Sequence, residues 1–268
     1  MITHYARVAK RALWRQASRV LDLCHNAANR GQSALPPPSL RTIGGGDFHT
    51  IGSLNVRHLK EFTSLDGKSV LEMGCGSGRN ALALTSYDIQ YDGFDIYRPY
   101  IDWCAAHITR DFPSFRFHHA DIYNGQYNRG GRLHSEGFRF ALPDASFDVV
   151  ILTSVFTHML EREVLQYIGE ISRLARPGAI AFVTFFLLNA EANRLIAEGR
   201  SQLAMAPFDG ERVKVVNPQI PEDAVAFEEG LIGKAFAKHG MQIAHTRYGA
   251  WCGRKEFFDY QDVVVVRR

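Results

Sequence analysis

Short apolar runs alternate with amphipathic ones along most of the chain. Val70–Leu71, Gln90–Asp95, Phe115–His119, Phe147–Thr153 and Ala179–Leu187 read as strands. The fourth and fifth are apolar almost throughout, as strands covered on both faces must be. Residues 80–84, 97–110 and 163–174 read as the helices between them, and residues 53–62 as a helix leading into the first strand. This alternation predicts an α/β, doubly wound fold, with a mostly parallel sheet between two helical layers. Ala224–His239 is expected as one further helix, stopped by Gly240. Met241–Tyr248 and Asp262–Val266 are expected as a closing antiparallel pair.

Ahead of this core, residues 3–28 have helical amphipathicity. Arg7, Arg11, Arg15 and Arg19 recur every four residues and form one basic stripe. Such a stripe is a solvated face, a membrane-surface or anionic-partner helix, or part of an arginine-rich transit segment. Gly31 to Pro38 ends in three prolines and reads as a linker. The expected division is therefore an N-terminal extension, residues 1–38, and one domain, residues 39–268. Two connections, near 123–146 and 188–223, are longer than the framework needs. They are expected to wall a ligand pocket at the carboxyl ends of the strands.

Composition narrows the function class. The chain has 268 residues, is 46% hydrophobic and 22% charged, and carries a net charge of +3. That is an ordinary globular composition, and the charge is too small to argue for nucleic acid. Cys24, Cys75, Cys104 and Cys252 are scattered without a C-x-x-C pair. Neither a metal site nor a disulfide framework is indicated, and reduced thiols fit a cytoplasmic protein. Oligomeric state has no signature in the sequence.

The candidate chemistry centres on Ser69 to Asn80, where a strand breaks into Gly74-x-Gly76-x-Gly78 and then a helix. A glycine turn at that junction is a nucleotide-binding layout. The third glycine comes one residue too early for a dinucleotide fingerprint. Glu72 stands two residues before the first glycine. This E-x-G-x-G-x-G string resembles motif I of the class I S-adenosylmethionine (SAM) methyltransferases, a Rossmann-like family with a seven-stranded sheet. The resemblance spans about residues 40–268. It implies SAM as methyl donor, S-adenosylhomocysteine as product, and a cofactor site along Glu72, Gly74, Cys75, Gly76 and Gly78.

The same resemblance carries over to other positions. Asp95 ends the second strand, where the family binds the ribose hydroxyls, and its spacing of 21 residues from Gly74 suits a βαβ unit. Ile96 is expected to cover the adenine–ribose. Asp121 and Ile122 match the adenine-amino and ring positions, and Arg79 the position that pairs with the methionine carboxylate. Ser154 to Met159 follows the fourth strand and faces the reactive methyl in the family. The string lacks the [D/N]-P-P-[Y/F] of amino methyltransferases and has no metal-binding carboxylates there. His158 is the candidate general base for a hydroxyl acceptor, and equally a candidate structural histidine. Trp251 and Arg254 are expected at a pocket rim, suiting a sugar face or an acidic group, although the pair also suits plain packing. The expectation is methyl transfer to a small-molecule or saccharide acceptor, most readily O-methylation, without a metal or nucleic acid. N- or C-methylation, and a SAM-binding partner without turnover, stay open.

Overall fold

The computed structural model describes residue 22 and residues 35–41, 46–210 and 212–268. The arginine stripe, Cys24, Gly44 and Gly45 lie outside the described residues.

A seven-stranded sheet forms the centre. Its strands are β1 (Lys68–Met73), β2 (Ile89–Asp95), β3 (Phe115–His119), β4 (Phe147–Leu152), β5 (Ala175–Phe185), and, after four short strands considered below, β10 (Gln242–Arg247) and β11 (Asp262–Arg267). The spatial order is β10-β11-β5-β4-β1-β2-β3. The first five strands run parallel, and β11 inserts antiparallel between β5 and β10. The order reverses between β1 and β4, the switch point at which open α/β sheets open a crevice.

Side-chain alternation sorts the sheet residues into two apolar layers. Leu71, Met73, Val150, Leu152, Val183, Val264 and Val266 face one side, where Val164, Ile168 and Ile171 of a helix at Glu161–Leu174 cover them. Val70, Tyr91, Val149, Ile151, Phe182, Val263 and Val265 face the other. There they meet Val56 and Leu59 of α1 (Phe48–Lys60), and Trp103 and Cys104 of a helix at Arg98–Cys104. In chain order the helices are α1, α2 (Arg79–Leu84), α3 (Arg98–Cys104), α4 (Glu161–Leu174), α5 (Ala190–Ala197) and α6 (Glu229–Lys238). Asp47 sets the start of α1: its carboxylate accepts from the Thr50 amide at 2.9 Å, satisfying one of the helix's orphan donors.

Several boundaries differ from the sequence reading: α1 starts at Phe48 rather than residue 53, and β5 spans Ala175–Phe185 rather than Ala179–Leu187. The helix expected over 97–110 is α3 followed by a π-helical turn at Ala105–Thr109. The helix expected over 224–239 starts at Glu229, because Val225–Glu228 is a strand, β9, whose first three residues are buried. The connection near 188–223 is not mere loop. It contains α5, β7 (Ala206–Asp209) and β8 (Val213–Val215), and with β6 (Leu187–Leu188) and β9 these make a second sheet, ordered β6-β9-β8-β7. Val213, Val215, Val225 and Phe227 press this small sheet onto the main apolar layer. Strands of two to four residues are too short for periodicity to reveal. Among the described residues no helix is long and apolar enough to cross a membrane.

Candidate active site

The glycine turn lies at the carboxyl end of β1. Gly74, Gly76 and Gly78 all have positive φ, +79°, +55° and +83°, which L side chains rarely tolerate. At Gly74 space also matters, since an added Cβ would overlap the Val155 side chain from the loop after β4. At Gly76 an added Cβ would meet nothing within 4 Å, so the backbone is open at that residue, whereas at Gly78 it would overlap Ile108. The turn is pinned to β2, whose Phe94 carbonyl accepts from the amides of Gly74 (2.7 Å) and Cys75 (2.9 Å).

Asp95 completes that junction. Its Oδ2 accepts from the Gly76 amide and its Oδ1 from the Tyr97 amide, each at 2.8 Å. Burial raises its pKa to about 6, against the opposing pull of those two amides. Ile96, Tyr97, Arg98, Pro99, His119 and Asp121, with Asn128 and Arg132, line a cleft of ≈ 340 Å³ beside it. Asp121 stands at the mouth, with Arg132 Nε donating to its Oδ2 at 2.7 Å. That bond is the leading cause of its lowered pKa. Ile122 itself turns into the core, at 3% exposure.

Glu72 is brought to the turn but faces inward, at 1% exposure. Its Oε1 accepts from Asn80 Nδ2 at 2.7 Å and its Oε2 from the Tyr91 hydroxyl at 2.5 Å. Burial raises its pKa to about 7. Asn80 also donates to Thr153 Oγ1 at 3.0 Å, so this carboxylate ties β1, β2, α2 and the end of β4 together. Cys75 is buried and desolvation pushes its thiol up. Arg79 opens α2, half-buried, with its guanidinium 5.2 Å from the Phe48 ring centre.

The loop after β4 starts at Ser154, exposed and left-handed (φ +58°), whose amide donates to Thr184 Oγ1 at 2.8 Å. His158 ends the short helical turn Phe156–His158. Its Nδ1 is 3.0 Å from the Glu222 carbonyl oxygen and its Nε2 3.3 Å from the Tyr127 hydroxyl. The two long connections therefore meet at this histidine. They also touch each other, through Gly125 amide to Glu222 Oε1 (3.2 Å) and Gln126 Nε2 to Asp223 Oδ1 (3.2 Å).

Trp251 and Arg254 do not stand at a rim, which corrects the sequence expectation. Trp251 is fully buried and its Nε1 donates to Asp262 Oδ2 at 2.7 Å. Arg254 is 6% exposed. It donates to Asp262 Oδ1 (3.1 Å), Glu191 Oε2 (2.8 Å) and Asn189 Oδ1 (3.1 Å). The physical reason is the unforeseen small sheet. It needs an anchor to β11, and a buried carboxylate with a guanidinium and an indole N–H supplies one. Sequence reasoning also missed Tyr127, Asn80, Tyr91, Asn128 and Arg132. Asn80 closes the quoted motif and is the one with a local signal.

A mostly parallel sheet in this order, with a glycine turn after β1, an acid ending β2 and another just past β3, is an arrangement that can hold a nucleoside. Comparison with known proteins points to methyltransferases. Residues 71–183 match the family model described as "Methyltransferase domain". A Mycolicibacterium smegmatis protein named as a probable S-adenosylmethionine-dependent methyltransferase is 28% identical over 220 residues, 81% of this chain and 75% of that protein. Among solved structures, a Pyrococcus horikoshii protein superposes with a TM-score of 0.58 at 16% identity, covering 90% of this chain and 98% of that one. The Burkholderia thailandensis 1,6-didemethyltoxoflavin-N1-methyltransferase, solved with that compound and S-adenosylhomocysteine, superposes with a TM-score of 0.53 at 13% identity, covering 97% and 89%. Residues 71–183 thus match a methyltransferase domain, and the chain is similar to proteins named as SAM-dependent methyltransferases, which supports that activity.

Proposed function

We propose that this enzyme transfers the SAM methyl group to a hydroxyl of a small molecule or saccharide, and that His158 serves as the base. SAM supplies an electrophilic methyl on a sulfonium; the chain's own residues hold the reactants in line and take the acceptor's proton. Asp95 receives the ribose hydroxyls, Asp121 the adenine amino group, and Ile96 lies along the ring. The Gly74–Gly78 turn, open at Gly76, runs beside the amino-acid half, and Arg79 pairs with its carboxylate. Glu72 acts at one remove, holding Asn80 and the turn in place.

The observation that carries the acceptor reading is the state of His158. A carbonyl oxygen only accepts, so the Glu222 carbonyl places the imidazole proton on Nδ1. Nε2 of the neutral ring is then an acceptor at the carboxyl end of β4, the orientation a base needs. A fold shared with an N1-methyltransferase does not decide the acceptor atom, because acceptor choice lives in the loops. The test is a screen of hydroxyl, amine and carbon acceptors for S-adenosylhomocysteine formation. Turnover on hydroxyl compounds supports the reading, whereas product from amines or carbon acids alone refutes it.

A further inference from the structure

His158 is paired with a second titratable side chain. The Tyr127 hydroxyl is 3.3 Å from its Nε2, with the two rings edge to face at 5.1 Å between centres. Since Nδ1 carries the ring's proton toward the Glu222 carbonyl, the phenol is the donor in this bond. The turn that carries Tyr127 is fixed to the same histidine. Asn124 Nδ2 donates to the His158 carbonyl at 2.9 Å, while its Oδ1 accepts from the amides of Gln126 and Tyr127, both at 3.0 Å. One asparagine thus locks the tyrosine's backbone to the histidine's. Tyr127 remains half-buried, and its chain neighbour Asn128 lines the cleft beside Asp95 and Asp121.

We propose that Tyr127 is a catalytic residue, its hydroxyl oxygen meeting the acceptor's hydroxyl and relaying the proton to His158. This rests on the O-methylation reading above. As the acceptor oxygen bonds to the methyl carbon, the carbon–sulfur bond breaks and its electron pair stays on sulfur. The acceptor's proton moves to the Tyr127 oxygen, and the Tyr127 proton moves to His158 Nε2. The products are a methyl ether, S-adenosylhomocysteine and an imidazolium, whose charge the Glu222 carbonyl faces. A relay suits this geometry because a tyrosine oxygen accepts one hydrogen bond while donating another. A direct attack by Nε2 would first require the phenol to leave.

The test compares Tyr127→Phe, His158→Gln and the double variant. Single-turnover S-adenosylhomocysteine formation is measured on a hydroxyl acceptor from the screen, with S-adenosylhomocysteine affinity measured by calorimetry. Tyr127→Phe should slow the chemical step about 10²-fold with affinity unchanged, and the double variant should be no slower than the worse single one. The solvent-isotope proton inventory should bow for the wild type, where two protons move, and be linear in Tyr127→Phe. Full rate for Tyr127→Phe on a hydroxyl acceptor, or a linear wild-type inventory, overturns the relay and leaves O-methylation standing. Product from amines alone overturns O-methylation itself, and the relay with it. A purely structural tyrosine would show an equal loss of melting temperature and rate with the isotope effect unmoved, which also overturns the relay.

Discussion

The cofactor half and the acceptor half of this enzyme are held together by different means. Around Gly74–Gly78 and Asp95, backbone does most of the bonding: amides of Gly74, Cys75 and Gly76 are fixed to the end of β2, within about twenty residues of chain. Around His158, side chains from distant segments do it. Tyr127 meets His158, and Gly125 and Gln126 meet Glu222 and Asp223, 97 residues away. A site built on backbone geometry is tied to its fold and varies little in shape. A site built on side chains between insertions changes with every loop. On the proposed reading, the first half holds the cofactor and the second decides the acceptor.

The largest effect expected from breaking this division is on rate. His158→Ala should slow methyl transfer about 10²–10⁴-fold, the range for general base catalysis, while S-adenosylhomocysteine affinity holds. Single-turnover kinetics beside calorimetry measure both, and a parallel loss of affinity would show that the two halves are not separable.

That difference also sets what was legible in the sequence. The parallel strands, the glycine turn and the acid ending β2 follow from patterns a few residues long, so they could be read directly. The small sheet could not, because β6 to β9 are two to four residues each. Without it, Trp251 and Arg254 looked like free recognition groups, when they are the buried bolts between that sheet and β11. His158 was legible as a residue, but its tautomer and its Tyr127 partner were not, since Tyr127 and Glu222 owe their meeting to tertiary structure alone.

A second break targets those bolts. Asp262 is fully buried and accepts from Leu187, Gly249, Trp251 and Arg254. Asp262→Ala leaves Arg254 without its buried counter-ion and should cost about 3–5 kcal/mol, read from urea unfolding. A loss under about 1 kcal/mol would mean the small sheet is not anchored there. A third acts where the halves touch. Gly74→Ala forces a left-handed alanine against Val155 and should destabilise by about 2–4 kcal/mol. Gly76→Ala, with the open side, should cost only about 1–2 kcal/mol of stability yet weaken the cofactor. Equal stability losses for the two would contradict the crowding assigned to Gly74.

The smallest effect is on pH dependence. Burial raises the Glu72 pKa to about 7 from the usual 4.5. The folded state thus holds this proton more tightly than the unfolded one. The resulting stability is fully present below the unfolded value and is lost as pH rises through the folded one. Glu72→Gln removes that slope, so relative to wild type it should gain stability between about pH 5 and pH 8. Urea midpoints at both pH values check this, and a constant difference would mean Glu72 is ionised in the fold throughout.

The central claim is that the ribose acid and the glycine turn form the SAM site, independent of the acceptor loops. Calorimetric titration of S-adenosylhomocysteine into wild type and Asp95→Ala tests it most directly. The account predicts a loss of about 1.5–3 kcal/mol, roughly 10- to 150-fold in Kd, for removing a charged hydrogen-bond acceptor. Wild-type affinity should also fall as pH drops below about 6, where Asp95 takes up its proton and ceases to accept from both hydroxyls. An Asp95→Ala variant that binds as tightly as wild type, at every pH, would contradict the claim.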